Sequence, residues 1–249
     1  MTADGTTPQD GRRDRGGDDT ASVQAFYGRW AGLYDLVARW TPGVGSMRAS
    51  AADALALRPG ETVVDVGCGS GANLPYLRER VGPAGTVIGI DVTGPLIARA
   101  RLRVHEEGWE NVHLVRADAR RPPVAEADAM VASFVVGMFD DPAAVVDGWC
   151  DLLAPGGRLA LLHAAPSERR AARPVNAALE AVTVLSTPPT HKLRYERDLT
   201  RKLADSVEAA HGRLAARATA YDDREFLLGL VRLAAGRLPD EDSSDEETD

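Results

Sequence analysis

The chain has 249 residues, 44% hydrophobic and 27% charged, a globular composition at a length that buries a full core. Its net charge of −8 resides in the ends: residues 1–20 hold five acids against three arginines, and residues 240–249 hold seven acids and no base. The stretch between them is near neutral, which gives nucleic-acid binding no electrostatic footing, and no uncharged apolar run nears the roughly 18 residues that cross a bilayer.

Residues 1–20, rich in Gly, Asp and Arg, and the acidic stretch 239–249 are expected to be disordered tails around one domain over 21–238. A first helix is predicted over about 21–40, ending before Thr41-Pro42, and a second over about 46–57. The strand at 61–66 runs into a glycine turn and a helix near 71–81. The strand at 86–91 precedes a helix over about 94–107, and 111–117 and 128–133 are the third and fourth strands. A helix over about 141–153 stops at Pro155-Gly156-Gly157, and 158–164 is the fifth strand. Strand and helix thus alternate, and the strands are apolar runs, as when helices cover both faces of a parallel sheet. The predicted fold is α/β, a doubly wound and mostly parallel sheet. Beyond it, residues 165–197, with Pro174 and a Pro188-Pro189 break, are expected to cap an acceptor pocket. A helix near 198–211 is predicted to stop at Gly212, and 212–221 and 224–235 to close the sheet as an antiparallel edge hairpin.

The strongest chemical signal is Asp65-Val66-Gly67-Cys68-Gly69-Ser70-Gly71, where a buried strand meets three alternating glycines and then a helix. Such a turn lets the backbone approach a ligand closely. Asp91 ends the next strand, where its carboxylate can accept from both ribose hydroxyls; capping the helix at Pro95 is the plainer role for it. An NAD enzyme would carry an acid there too. Asp118, at the end of the third strand and followed by the small Ala119, can accept from an adenine amino group or can be an exposed loop acid. Three such features on successive strand ends line one crevice at the carboxyl edge of the sheet.

These motifs, with the Gly-Gly approach to the fifth strand, resemble the motif series of class I S-adenosylmethionine-dependent methyltransferases over about residues 25–235. The similarity is nearest to the group of ubiquinone/menaquinone-biosynthesis and phosphatidylethanolamine N-methyltransferases. The resemblance implies S-adenosylmethionine as cofactor and a small-molecule or lipid-headgroup acceptor. It implies that Asp65, Gly67, Gly69 and Gly71 surround the methionine part and that Asp91 and Val92 bracket the ribose. Asp118 and Ala119 would bracket the adenine, with Ser133 and Phe134 beside the sulfonium. After the fifth strand the quinone enzymes carry an acidic-aromatic pair where this chain has His163-Ala164.

A sulfonium already activates its methyl group, so a base is needed only for a protonated acceptor. His163 is the candidate, with a strand-end histidine satisfied by its neighbours as the alternative. Phe26, Tyr27, Trp30, Tyr34 and Trp40 crowd the first helix. Tyr27, Trp30 and Tyr34 share a face, which either packs on the sheet or forms a lid from which Tyr27 or Tyr34 donates to the cofactor carboxylate. Residues 164–202 hold eight Arg/Lys against four acids, and Arg169, Arg170, Arg173, Lys192, Arg194 and Arg197 either receive an anionic acceptor or form a solvated cap. Two cysteines, Cys68 and Cys150, give no disulfide framework and no metal cluster. With no apolar signal segment at the N-terminus, a cytoplasmic enzyme is expected, with no nucleic-acid partner, no transmembrane segment and at most transient membrane-surface contact. The rivals left open are an NAD(P)-dependent oxidoreductase and a non-catalytic nucleotide-binding protein of the same fold.

Overall fold

The computed structural model describes residues 43–164, 167, 169–173, 177 and 196–240. The predicted helix over 21–40, with Tyr27 and Tyr34, and most of the 165–197 cap lie outside them. So do both tails, except Pro239 and Asp240.

Five parallel strands come first in the chain, each a β-branched or apolar run lying between a turn and a crossover helix. They are β1 (Thr62–Val66), β2 (Thr86–Asp91), β3 (Val112–Arg116), β4 (Ala127–Ser133) and β5 (Leu153–Ala164). Their helices are α1 (Val44–Ala54), α2 (Leu74–Val81), α3 (Gly94–Glu106) and α4 (Pro142–Cys150), followed by α5 (Glu196–Arg217). Two further strands, β6 (Ala220–Phe226) and β7 (Val231–Arg237), complete a seven-stranded sheet in the order β3-β2-β1-β4-β5-β7-β6. β7 runs antiparallel to both β5 and β6.

The core is split by the sheet. Val63, Val87, Val131, Ala160 and Leu162 meet Met47 and Ala51 of α1 and Leu74 and Leu77 of α2 on one face. Val64, Ile90, Met130, Leu159 and Leu161 meet Val146 and Trp149 of α4 and Val207 and Leu214 of α5 on the other. Burial of a large apolar side chain contributes about 1.5–3 kcal/mol, so the fully buried Trp149 is a major anchor of the second face. Its ring stands edge-on to Phe139 at 5.9 Å, and its Nε1–H donates to the Ala119 carbonyl at 2.7 Å. That bond ties α4 to the loop after β3.

The C-terminal third departs from expectation. α5 passes through Gly212 and ends at Arg217, so the hairpin begins eight residues later than predicted. Val207, Ala210 and Leu214 are buried at helical spacing across the glycine, and their packing outweighs the roughly 1 kcal/mol that a helical glycine costs. Arg213 and Arg217 bond Asp147 of α4, and Arg217 also bonds Asp151 at 2.8 Å. The last described residues pack back on the turn before residue 158. Gly156 N–H donates to the Pro239 carbonyl at 2.8 Å, and Arg237 pairs with Asp240 at 2.7 Å.

Candidate active site

After β3 the chain crosses to the other side of β1 to lay down β4, so the helices that follow β1 and β4 leave on opposite faces. The carboxyl ends of β1 and β4 therefore flank a topological switch point, the place where open α/β sheets take ligands. The glycine turn after β1 is pinned to β2, with Gly67 N–H and Cys68 N–H both donating to the Ile90 carbonyl at 2.8 and 2.9 Å. Gly67 has φ 73°, and a Cβ there would lie 2.8 Å from Val135 Cγ2. Gly69 has φ 56°, and a Cβ there would meet nothing within 4 Å. The first glycine is required by the protein's own packing. The second faces open space.

Asp91 stands beside that space. Its carboxylate accepts from Gly69 N–H at 3.0 Å and from Thr93 N–H at 2.7 Å. A carboxylate has about four acceptor sites, so two remain after the backbone has fixed its orientation. Val92 next to it is exposed, and its carbonyl accepts from Arg116 Nε at 3.0 Å.

Asp65 belongs to the interior side of the same site. It is fully buried on the α1–α2 face, with Oδ1 accepting from Asn73 Nδ2 at 2.9 Å and Oδ2 without a partner. Burial pushes its carboxyl up to about 6, against the lowering effects of the Asn73 bond and the Arg48 charge. Ser133 Oγ accepts from the same Asn73 amide at 3.1 Å. Phe134 follows with φ 58°, a strained backbone for a non-glycine residue, and its N–H donates to the Leu162 carbonyl at 2.7 Å.

Three other candidates have contacts of their own. Asp118 is held by Arg120, whose Nε and Nη2 bond its two oxygens at 2.6 to 3.1 Å and keep its carboxyl below the usual range. Ala119 turns its methyl into the core beside Trp149. His163 does not reach the crevice either. It is 2% exposed and packs ring to ring with His211 of α5 at 5.1 Å, on the opposite face of the sheet from Asp65 and Ser133. Burial holds its imidazole well below the ordinary value, and neither ring nitrogen has a partner.

Two residues outside the sequence-derived set join this site. Asn73 had a visible signal, an Asn just before Leu74-Pro75 where a helix opens. Arg48 had only its place among Met47, Ala51 and Ala52 on the buried face of α1.

A doubly wound sheet with a glycine turn after β1 and a carboxylate at the end of β2 is the arrangement in which open α/β sheets take nucleotide-like ligands at the switch point. The methyltransferase-domain family matches residues 63–157. The phosphatidylethanolamine N-methyltransferase of Cereibacter sphaeroides is 34% identical over 145 residues, covering 57% of this chain and 68% of that protein. The nocamycin O-methyltransferase of Saccharothrix syringae is 37% identical over 145 residues, covering 56% of this chain and 50% of that one. This chain belongs to the class I S-adenosylmethionine-dependent methyltransferases. It spans about half the length, or less, of several of these relatives. An S-adenosylmethionine-dependent methyltransferase structure from Aquifex aeolicus shares the fold at TM-score 0.54 and 20% identity, over 85% of this chain and 98% of that one.

Proposed function

We propose that this protein transfers the methyl group of S-adenosylmethionine to a small-molecule or lipid-headgroup acceptor. The observation that carries the reading is the pairing of Gly69 with Asp91: unfilled space above a glycine, beside a carboxylate already oriented by two backbone N–H groups. Asp91 would accept from the ribose hydroxyls with Val92 alongside, and the turn from Gly67 to Gly71 would enclose the methionine part. Asp118 would accept from the adenine amino group by giving up one of its Arg120 bonds, with the Ala119 backbone beside it. Asp65 lies behind the turn, and its unpartnered oxygen suits the cationic end of such a ligand.

When bound, the sulfonium supplies a methyl group that needs no further activation. What the chain must do is hold the two reactants in line and exclude water, and positioning of this kind contributes about 7–11 kcal/mol in favourable cases. Ser133 and Phe134, fixed at the end of β4, would form the wall beside the reacting centre. His163 is left without a role as base, because its ring is enclosed on the far face.

On the acceptor side, relatives named for phosphatidylethanolamine and demethylmenaquinone support a lipid or small molecule. His163-Ala164, in place of the acidic-aromatic pair, weighs against quinone C-methylation. Arg169 spends its guanidinium on Glu225, so an anionic acceptor would rely on Arg170, Arg173, Lys192, Arg194 and Arg197. Tyr27 and Tyr34 are proposed to close over the cofactor carboxylate, in an enzyme of the cytoplasm. Among the described residues no helix is long and apolar enough to cross a membrane. Calorimetry tests the cofactor: S-adenosylhomocysteine should bind at micromolar concentration and NADH should not, and the reverse result overturns the proposal. An untargeted search of host lipids and quinones for one-methyl mass shifts on deletion of the protein would then identify the acceptor.

A further inference from the structure

Asn73 stands at the N-cap of α2, where an asparagine ordinarily accepts from an exposed backbone N–H, yet it makes no cap bond. Its side chain is spent on tertiary contacts. Nδ2 donates to Asp65 Oδ1 at 2.9 Å and to Ser133 Oγ at 3.1 Å, while Oδ1 accepts from Arg48 Nη1 at 2.6 Å. The chemistry fixes this orientation, because guanidinium only donates and carboxylate only accepts. The amide therefore links a buried cation on α1 to a buried carboxylate on β1. Arg48 is 9% exposed, and its guanidinium carbon lies 5.5 Å from the Phe134 ring centroid. One cation thus touches the residues that flank both sides of the switch point.

We infer that Arg48 is a positioning residue for the amino-acid end of the cofactor: acting through Asn73, it keeps Asp65 charged and oriented, so that the site favours adenosyl ligands carrying an α-amino group over the bare thionucleoside. The inference rests on the cofactor reading above. Among the described residues, the groups that act on Asp65 are Arg48 from α1, Asn73 before α2, Asp91 from β2 and Cys68 in the turn, with Ser133 of β4 on the same Asn73 amide. Of these only Arg48 is a cation. Burial and Asp91 both favour the neutral acid, so loss of Arg48, and of the Asn73 orientation it fixes, shifts the carboxyl further toward the protonated form and weakens its attraction for an ammonium.

The test is calorimetry of wild type, Arg48→Met and Arg48→Lys with S-adenosylhomocysteine and with methylthioadenosine, which lacks the amino acid, between pH 5.5 and 8.5. Arg48→Met should lose about tenfold or more in S-adenosylhomocysteine affinity, the scale of one charged hydrogen bond, and keep its methylthioadenosine affinity. The pH below which wild type weakens should move upward in that variant. Arg48→Lys, which keeps the charge, should retain most of the wild-type selectivity and pH profile. It also carries the test if Arg48→Met fails to fold. Equal loss on both ligands, or a Lys variant with the selectivity of the bare thionucleoside site, overturns the inference. Wild type that binds neither ligand overturns the cofactor reading along with it.

Discussion

Replacing Gly69 with alanine separates folding from binding. At φ 56° an alanine is strained by about 1–2 kcal/mol, but the new methyl meets no atom within 4 Å. At about 2–4 °C per kcal/mol for a chain of this size, thermal unfolding should fall by only a few degrees. The same methyl enters the space assigned to the cofactor, and overpacking costs about 1–3 kcal/mol. S-adenosylhomocysteine affinity should therefore drop by a factor between about 5 and 150. Gly67→Ala gives the contrast, because its methyl would lie 2.8 Å from Val135 Cγ2 and 3.0 Å from Val135 Cβ. Its strain and overpacking add, so its unfolding temperature should fall further than that of the Gly69 variant. Calorimetry and thermal unfolding on both proteins decide the matter. Wild-type affinity in a folded Gly69→Ala protein would refute the assignment of that space.

Asp91→Asn keeps the volume and one acceptor oxygen but removes the charge. It should weaken S-adenosylhomocysteine by about 1.5–3 kcal/mol, and an unchanged dissociation constant would rule out the ribose role. Asp118→Ala should leave much of the affinity intact but reduce the preference for S-adenosylhomocysteine over its inosine analogue, which lacks the amino group; an unaltered preference would remove Asp118 from the adenine site. Burial pushes His211 down to about 4, so its neutral form costs nothing above the unfolded value near 6.5, and stability is lost as pH falls from there toward the folded value, by about 3 kcal/mol in all. Asp65, pushed up to about 6, acts in the opposite sense, adding stability as pH falls from about 6 toward 3.8. His211→Phe removes only the first effect, so its unfolding temperature should decline less than wild type's between pH 7 and 4, and parallel curves would refute the argument.

The parallel half of the sheet was legible because each strand is an apolar run bounded by a glycine turn or a helix signal. β2 falls on the predicted residues, β1, β3 and β4 lie within a residue of theirs at each end, and β5 begins at Leu153, five residues before the predicted start and through the Pro155-Gly156-Gly157 turn. Gly212 misled because a stop signal was weighed above the spacing of Val207, Ala210 and Leu214, which was equally visible. His163 misled for a different reason: β5 is apolar on both faces, so alternation cannot tell which face a given residue takes. Register supplies the missing fact, since Leu159, Leu161 and His163 share a face with α5 while Ala160 and Leu162 share one with α1 and α2. The grip of Arg120 on Asp118 lies two residues away and could have been anticipated. The bond from Arg48 to Asn73 joins positions 25 apart, and no local pattern announces it.

Two costly features meet at the switch point. Phe134 holds a left-handed backbone, worth about 1–2 kcal/mol of strain, and an Arg, an Asn and an Asp occupy interior volume that apolar side chains of similar size could fill at lower cost. Each also has a structural share, since Phe134 N–H bonds the Leu162 carbonyl and the Arg48–Asn73 bond joins α1 to the start of α2. They approach one another where β4 and the β1 turn face across the crevice, with the Arg48 guanidinium against the Phe134 ring. The ring nitrogens of His163 and His211 are also buried without partners, but the pair lies on the far face between β5 and α5, away from the glycine turn and Asp91. Unfavourable chemistry near a ligand's seat can be offset by the ligand. The same chemistry within a closed interface only lowers stability, so the Arg48 cluster reads as binding machinery and the histidine pair as a pH liability.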